Sequence, residues 1–406
     1  MKVLHINQSD TAGGAAIAGY RLHQGLVEQG IDSKLLVGNK QTDHPKVALI
    51  PRRYRLENQL YRFTNRLGFH TLNHVGSFDI PKHPFFQEAD ILNFHNLHST
   101  GFSYLAIAKL TQHKPAVFTL HDMWSFTGHC AYSYDCNRWQ TGCGQCPYPE
   151  TYPSIKRDST HWEWKLKNWV YNRSNLTIVT LSHWLTKLAK ESILNRFPIH
   201  HIPNGIDVHA YKPLDPDLCR ATLGIPSDKK VLLSSAQSLQ DSRKGGHLLV
   251  KALQSLPETL KQNCFLLTFG KQATQLEQAM ELPALHLGYM SSDRLKAMAY
   301  SAADLCVFPT RADNLPLVLQ ESMACGTPMV SFKVGGVPDL VRPGITGYLA
   351  APENVQDLRD GMVQFLEDDE LRETMSKNCR DIAVQEYSLE LQAKRYVELY
   401  RLVSNS

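Results

Sequence analysis

The sequence has no apolar run near the roughly 20 residues that a membrane-spanning helix requires, so it predicts no membrane span. Its first residues, MKVLHINQ, indicate a β-strand and not the apolar core of a secretory signal. Internal repeats, low-complexity segments and nucleic-acid-binding modules are also missing, which argues against a repeat protein and against a nucleic-acid partner. From these absences we expect a cytoplasmic protein, with peripheral association at the inner membrane face as the alternative.

The composition is that of a globular protein with an uneven charge distribution. The 406 residues are 43% hydrophobic and 20% charged, and such a length favours two domains. Residues 1–207 hold 22 Lys and Arg against 15 Asp and Glu, and the remainder holds 21 against 24. The basic half also carries 15 of the 18 histidines, so mild acidity would widen the contrast. We therefore expect the first half to face an anionic acceptor or an anionic lipid surface.

Short apolar runs alternate with helical patterns along the chain and predict an α/β fold. The first strand, Val3–Ile6, leads through Gly13 and Gly14 into a helix, and a second strand follows. The glycine pair fits either a backbone approach to a ligand or an ordinary strand-to-helix turn. A Pro-Asn-Gly turn near residue 205 marks a junction, after which the alternation restarts. The pattern predicts two doubly wound Rossmann-like domains facing an interdomain cleft, over residues 1–205 and 206–385, with residues 386–406 as a helix returning to the first.

One strand–helix–strand step, residues 304–330, carries two acids at its centre. Asp313, Asn314 and Leu315 lie at the mouth of the predicted helix, and Glu321 lies in its second turn. The free N–H groups of a helix N-terminus suit an anion such as a diphosphate, whereas carboxylates there suit hydroxyls of a sugar or ribose. The alternative is structural: Asp313 or Asn314 caps the helix and Glu321 lies on its solvated face.

Two further polar groups follow predicted strands. Arg243 and Lys244 precede a glycine pair that opens a helix, an arrangement suited to a diphosphate, with an exposed basic loop as the alternative. Three histidines lie near the carboxyl ends of predicted parallel strands, where ligands bind in open α/β sheets: His95, His98 and His121. For each histidine taken alone, a hydrogen-bonded structural role is favoured.

The stretch 52–67 has the pattern of a basic amphipathic helix. Five arginines stand against Glu57 alone, while Leu56, Leu60, Phe63 and Leu67 recur at helical spacing. Such a helix could bind an anionic membrane surface or a lipid-linked acceptor. The favoured alternative is a helix packed on the first domain, with its arginines in solvent.

Four cysteines fall within 17 residues of a predicted insertion that covers residues 123–150. Cys130, Cys136, Cys143 and Cys146 have the spacing C-x5-C-x6-C-x2-C. In a reducing compartment this favours a structural zinc site with thiolate ligands, which would hold together a long loop that lacks a core. Free thiols and two disulfides remain the alternatives.

Two strings resemble known enzymes. DNLPLVLQESMACGTP, with Asp313 where most members carry Glu, resembles the signature of family 4 glycosyltransferases, and TLHDMWSFTGHCAYSYDC is similar to colanic-acid and exopolysaccharide glycosyltransferases. The resemblance implies a retaining hexosyltransferase of the GT-B fold that uses a UDP- or GDP-sugar and needs no metal for chemistry. It implies that Glu321 binds the ribose, Asp313 a sugar hydroxyl, Lys244 and Arg243 the diphosphate, and His121 the sugar.

Two other functions stay open on the sequence. A nucleotide-sugar 2-epimerase of the same fold would need no acceptor, and the basic first half would then have no role. A non-catalytic sugar-nucleotide-binding protein is favoured only by Asp313 in place of Glu and by the lack of an arginine several residues before Lys244.

Overall fold

A computed structural model describes residues 1–98, 101–238, 240–271 and 282–405. The chain divides into two compact units, and each is described separately. The first unit comprises Met1–Gly205 together with Glu390–Ser406, and the second comprises Ile206–Leu389. Within the described residues, no helix is long and apolar enough to cross a membrane.

The first unit is built on a seven-stranded sheet in which all neighbouring strands are parallel. Its strands are β1 (Lys2–Ser9), β2 (Asp32–Asn39), β3 (Val47–Leu49), β4 (Ile91–Phe94), β5 (Ala116–Leu120), β6 (Thr177–Thr180) and β7 (Ile199–His201), in the order β3-β2-β1-β4-β5-β6-β7. Strands β4, β5 and β6 are buried along their whole length, as expected for a sheet covered by helices on both faces. The order reverses at β1, so the unit is doubly wound.

The helices of the first unit connect these strands. They are α1 (Gly14–Glu28), α2 (Tyr54–Arg66), α3 (Pro84–Glu88), α4 (Ile107–Thr111), α5 (Thr160–Tyr171) and α6 (His183–Lys190), with 3₁₀ turns at Val75–Lys82, Tyr104–Ala106 and Arg138–Gln140. The stretch between β5 and α5 holds no other helix or strand. Its conformation therefore depends on side-chain contacts more than on regular backbone hydrogen bonds.

The second unit repeats the plan with a six-stranded parallel sheet. Its strands are β8 (Lys230–Ser238), β9 (Cys264–Lys271), β10 (Ala284–His286), β11 (Leu305–Phe308), β12 (Met329–Phe332) and β13 (Gly347–Ala350), in the order β10-β9-β8-β11-β12-β13. Its described helices are α7 (Pro216–Leu223), α8 (Gly246–Gln254), α9 (Glu258–Lys261), α10 (Asp293–Ala302), α11 (Leu317–Ala324), α12 (Val337–Leu340), α13 (Val355–Glu367) and α14 (Asp369–Tyr387). The prediction of two doubly wound Rossmann-like units is confirmed.

The final helix, α15 (Leu389–Ser404), belongs to the first unit for almost its whole length. Tyr396 and Tyr400 are fully buried on it and pack with Val3, Ile91 and Val117 of the sheet. The amide of Asn93 donates to the Tyr400 hydroxyl over 2.7 Å, and the Tyr396 hydroxyl lies 3.0 Å from that of Thr119. These polar anchors satisfy the tyrosine hydroxyls inside an otherwise apolar interface.

Helix α2 agrees with the favoured interpretation of the basic stretch in its solvent-exposed arginines, but corrects it for part of the apolar stripe. Glu57 is the one buried residue of the helix, held by Arg52 at 2.5 Å. Leu56 and Phe63 of the expected packed stripe are 42% and 65% exposed, and Tyr54 and Tyr61 are also exposed. The helix attaches to its unit through Glu57, which accepts the N–H of Gly76 over 2.9 Å. Leu56 and Phe63 face outward, whereas Leu60 and Leu67 are half-buried. Helical periodicity gave the stripe correctly, but it carries no information on whether another element covers it.

Candidate functional site

Lys244, Arg243 and Asp313 converge in the second unit although 69 or 70 residues separate the acid from the bases. The Lys244 ammonium lies 2.5 Å from Asp313 Oδ2, and Arg243 Nη1 lies 3.3 Å from the same oxygen. Arg243 also donates to the carbonyl of Ala312 over 2.8 Å and pairs with Asp241 at 3.2 Å. The resemblance assigned the bases and the acid to different parts of a ligand, and the structure shows that they also contact each other.

The topology explains the convergence. Strands β8 and β11 are neighbours, so the loops at their carboxyl ends meet. Gly245 has φ +71°, and a Cβ at this position would lie 1.9 Å from the carbonyl oxygen of Pro309, so only glycine allows the two loops to approach this closely. The Arg311 N–H then donates to the carbonyl of Arg243 over 2.8 Å. The cluster is therefore held by backbone contacts as well as by charge.

The charges of this cluster are two bases and two acids, and the acids differ in exposure. Burial raises the pKa of Asp313, but Lys244 and Arg243 outweigh it and hold the carboxyl pKa below its usual range. Burial and the neighbouring Arg243 lower the pKa of Lys244, and Asp313 opposes that shift. Two cations share the carboxylate of Asp313, and the second acid, Asp241, is 37% exposed at its side chain. Ammonium and guanidinium groups side by side suit an anion such as a diphosphate, which would have to displace Asp313 from them.

The residues around helix α11 rule out the structural alternatives for the two acids. Pro316 occupies the N-cap position, so neither Asp313 nor Asn314 caps the helix. Glu321 is 4% exposed and accepts from the Tyr300 hydroxyl over 3.3 Å, so it does not lie on a solvated face. Asn314 and Leu315 are also buried, and the Asn314 N–H donates to Asp313 Oδ1 over 3.1 Å. Its burial next to Asp313 and Asn314 in the same strand–helix step keeps Glu321 a candidate for binding ligand hydroxyls.

In the first unit, His121 is the end of a hydrogen-bonded row of three imidazoles, which we call the histidine row. His121 Nε2 lies 3.1 Å from His95 Nδ1, and His95 Nε2 lies 2.8 Å from His5 Nδ1. His5 lies on β1, and His95 and His121 directly follow β4 and β5; the three strands are consecutive in the sheet. The sequence singled out His95 and His121 but missed His5, which reads as part of an apolar strand. Only the strand order reveals that it belongs with the other two.

The histidine row fixes the tautomer of His121. Burial lowers the pKa of His5 to about 3 and that of His121 to about 4, and it holds the pKa of His95 well below 6.5, so all three rings are neutral at pH 7. Among the described residues, His5 Nε2 is buried without a hydrogen-bond partner. A buried N–H without an acceptor costs about 1–3 kcal/mol, whereas a bare lone pair is better tolerated. We therefore assign the protons to Nδ1 of His5 and of His95, which leaves His121 with Nδ1–H as a donor.

Gly13 and Gly14 lie where β1 passes into α1. Gly13 has φ 101° and ψ 159°, a conformation that is essentially restricted to glycine, and its carbonyl accepts the first helical bond from Ile17. Asp10, which the sequence analysis did not select, is fully buried beside this turn. Its carboxylate accepts N–H groups from Thr11, Gln41 and Thr42, and so ties the turn to the loop after β2. The turn is rigidly held, with open space next to Gly14.

The four clustered cysteines of the first unit form no disulfide, and all four line one small cavity next to helix α5.

Comparisons with known proteins identify the class. The profile "Glycosyltransferase Family 4" matches residues 12–210, and the profile "Glycosyl transferases group 1" matches residues 217–382. Together they span about nine-tenths of the chain, so this protein is a glycosyltransferase. It belongs to the family whose first domain is of the family 4 type and whose second domain is of the group 1 type.

Individual relatives agree with this class. The chain is 29% identical over 355 residues to the colanic acid biosynthesis glycosyl transferase WcaC of Escherichia coli K12, covering 82% of this chain and 83% of WcaC. It is 28% identical over 217 residues to D-inositol 3-phosphate glycosyltransferase of Saccharomonospora viridis, half of each chain. The fold matches sucrose-phosphate synthase of Thermosynechococcus elongatus (TM-score 0.74, 18% identity, 100% of both chains). It also matches Anabaena HepE, solved with UDP (TM-score 0.68, 18% identity, 98% and 99% covered). These neighbours show that the fold is GT-B.

Proposed function

We propose that this glycosyltransferase is a retaining hexosyltransferase that moves a sugar from a UDP- or GDP-sugar to a saccharide or lipid-linked acceptor in exopolysaccharide biosynthesis. The observation that carries the proposal is the cluster of Lys244, Arg243 and Asp313, in which two bases share one buried carboxylate. The solved complexes of HepE with UDP and with UDP-glucose support a nucleotide-sugar donor. The name of WcaC supports a role in polysaccharide biosynthesis.

In the proposed reaction, the acceptor hydroxyl oxygen forms a bond to the anomeric carbon as the bond from that carbon to the diphosphate oxygen breaks. The acceptor proton passes to the departing phosphate oxygen. Lys244 and Arg243 bind the diphosphate and stabilise the negative charge that develops on it, a contribution worth about 2.7–4 kcal/mol for one well-placed donor. No metal is required for this step, because the two cations of the protein supply the positive charge.

The remaining residues orient the donor. When a diphosphate enters, it competes with Asp313 for Lys244, which releases the carboxylate to accept a hydroxyl of the transferred sugar. Glu321 accepts hydroxyls of the ribose and is kept in place by Tyr300. His121 donates from Nδ1 to an oxygen of the sugar, and Gly13 and Gly14 leave the room for a ligand to approach the backbone. Each of these roles rests on the resemblance and on the burial of the side chains.

For an acceptor carried on a lipid, helix α2 is the proposed contact with the membrane. Its exposed Leu56, Tyr61 and Phe63 lie among the exposed Arg55, Arg62 and Arg66. Apolar side chains next to arginines suit the interface of an anionic bilayer, which supports the proposed association with the cytoplasmic face of the inner membrane.

The test uses purified full-length protein and a panel of UDP- and GDP-sugars without acceptor. We expect slow hydrolysis of at least one donor, with nucleotide release lowered about 100-fold or more in Lys244→Ala and strongly lowered in Glu321→Ala. Lys230→Ala is the control, because Lys230 forms an exposed ion pair with Asp369 in the same unit. Conversion of a donor to its 2-epimer without nucleotide release would instead support the epimerase, and no turnover of any donor would support a binding protein.

A further inference from the structure

The loop between β5 and α5 surrounds a cavity of single-atom size. Cys130, Cys136, Cys143 and Cys146 all line this cavity, and so does His129. Its interior is about 20 Å³, which is room for one water-sized guest but not for a cluster or an organic ligand. Sulfur and imidazole nitrogen are the donors that zinc prefers in structural sites. The cavity therefore combines the size and the chemistry of a site for one zinc ion.

His129 adds evidence that the spacing of the cysteines did not contain. The residue is 1% exposed, and its Nδ1 lies 2.8 Å from the carbonyl oxygen of Pro153. A carbonyl can only accept, so Nδ1 carries the proton and Nε2 has a free lone pair. Nε2 lies 3.2 Å from the sulfur of Cys146. This is the arrangement in which a metal-binding histidine is oriented by a backbone carbonyl behind it.

The two facing atoms have two possible states. If Cys146 is a neutral thiol, its S–H donates to Nε2; if it is a thiolate, two lone pairs would face each other unless a cation lies between them. Two polar groups near the cavity would compensate the thiolates that zinc binding requires. The Gly128 N–H donates to the sulfur of Cys143 over 3.2 Å, and the fully buried Lys167 lies below the loop, donating to the carbonyls of Trp124 and Thr127. A buried cation and an N–H donor both offset the negative charge of a zinc–thiolate centre.

We propose that this cavity binds one zinc ion, with Cys143, Cys146 and His129 as ligands and Cys130 or Cys136 as the fourth. Within the described residues no three of these donor atoms all lie within 4.8 Å of one another, so binding must draw them together. The role is structural. Cys143 and Gln145 have positive φ values of 54° and 49°, conformations that persist where surrounding contacts impose them. A zinc ion would supply that constraint to a loop with little regular structure. The proposal is independent of the transfer reaction.

The experiment measures zinc in the purified full-length protein by elemental analysis. We expect about one equivalent per chain, falling to less than one-fifth in Cys143→Ser/Cys146→Ser, with Cys219→Ala as the control because Cys219 lies outside the cavity. Cobalt substitution should give the visible bands of a tetrahedral thiolate complex. Cys130→Ser and Cys136→Ser then identify the fourth ligand, since only one of them should lose cobalt binding.

A variant that fails to fold would not decide the question, so the wild-type protein provides a second measurement. Removing the metal with a chelator should increase amide hydrogen exchange in residues 123–158 and leave the second unit unchanged, and zinc should reverse the effect. A wild-type protein that contains less than one-fifth of an equivalent and gives no cobalt spectrum overturns the proposal. Full zinc content in His129→Asn would overturn the ligand role of His129 and support a site made of the four cysteines.

Discussion

At the scale of single residues, Asp313 acts first as the counter-ion of two bases. Its carboxylate oxygen contacts Lys244 at 2.5 Å and Arg243 at 3.3 Å, and the side chains of Lys244 and Asp313 are 18% and 11% exposed. Removing the acid leaves two neighbouring cations without it. We expect Asp313→Ala to destabilise the protein by about 1–3 kcal/mol, less than the loss for a fully buried pair because solvent screens part of the charge.

The same variant should respond more strongly to a nucleotide. UDP contains the diphosphate but no transferred sugar, so it tests the bases without the proposed hydroxyl contact of Asp313. We expect UDP to raise the melting temperature of Asp313→Ala by more than that of the wild type, because the anion no longer competes with a carboxylate. Asp369→Asn, which removes one partner of an exposed pair, should behave like the wild type. A smaller UDP effect in Asp313→Ala would show that the acid helps to hold the nucleotide.

His95 is a positioning residue for His121. Without the bond from His95 Nδ1, the His121 ring would lose the partner that fixes its tautomer. We expect His95→Leu to lower kcat about tenfold with little change in the KM for the donor, since binding of the diphosphate does not involve this ring. His23→Leu is the matched control: His23 is also buried in this unit, but it bonds to Ser33. Equal losses of kcat in both variants would mean that His95→Leu acts by destabilising the unit and not by misplacing His121.

The histidine row itself can be observed without activity. Nitrogen chemical shifts of ¹⁵N-labelled protein should show Nδ1–H tautomers for His5, His95 and His121 at pH 7. A spectrum with Nε2–H on His121 would contradict the assignment.

At the scale of elements, helix α2 exposes apolar side chains that no described part of the chain covers. The apolar side chains Leu56 and Phe63 are exposed beside arginines, and the helix is anchored through Glu57. We expect the protein to sediment with phosphatidylcholine vesicles that contain about one-third phosphatidylglycerol, more strongly at low salt.

The double variant Leu56→Ser/Phe63→Ser should weaken this binding about 10- to 100-fold, because burying each side chain contributes about 1.5–3 kcal/mol. Trp169→Ser is a suitable control, since Trp169 is 49% exposed on α5 and also has an arginine, Arg173, over its ring. Equal binding of both variants would assign the attraction to the general positive charge of the first unit. No binding by the wild type would remove the membrane contact from the proposed function.

The order of strands marks the limit of what the sequence could predict. Buried strands such as β4, β5 and β11 were visible as short apolar runs, and Lys244 and Asp313 were visible as charges at strand ends. Their contact was not, because it depends on β8 and β11 being neighbours although β9 and β10 lie between them in the chain. The histidine row likewise depends on the order β1-β4-β5. Periodicity reports which residues share a face, but pairing between distant elements decides what that face meets.

At the scale of the whole molecule, the uneven distribution of histidine gives the two units different responses to acid. The first unit holds 15 of the 18 histidines, and several of them are buried in neutral form. Burial lowers the pKa of His5 to about 3 and those of His23, His70 and His121 to about 4. One buried acid in the same unit has the opposite shift, since burial raises the pKa of Glu163 to about 7.

The sign of the effect follows from proton linkage. Below pH 6.5 the histidines of the unfolded chain bind protons that the folded unit excludes, so the stability of the first unit falls as the pH drops from about 6.5 towards 4. At pH 5.5 each such histidine costs about 1.4 kcal/mol. Glu163 acts the other way, because its folded form binds a proton at a pH where the unfolded form does not, but it is one group against four.

We therefore expect lowering the pH from 7 to 5.5 to destabilise the first unit selectively. Amide hydrogen exchange, corrected for its intrinsic pH dependence, gives the free energy of opening at each amide. This free energy should fall by several kcal/mol for slowly exchanging amides of β1, β4 and β5, and far less for those of β8, β11 and β12. His23→Gln should reduce the pH dependence of the first unit by about one proton without altering that of the second. Equal loss of protection in both units would mean that the buried histidines do not control acid stability. A selective loss would mean that acid unfolds the first unit, and with it the histidine row that positions His121, before the second unit.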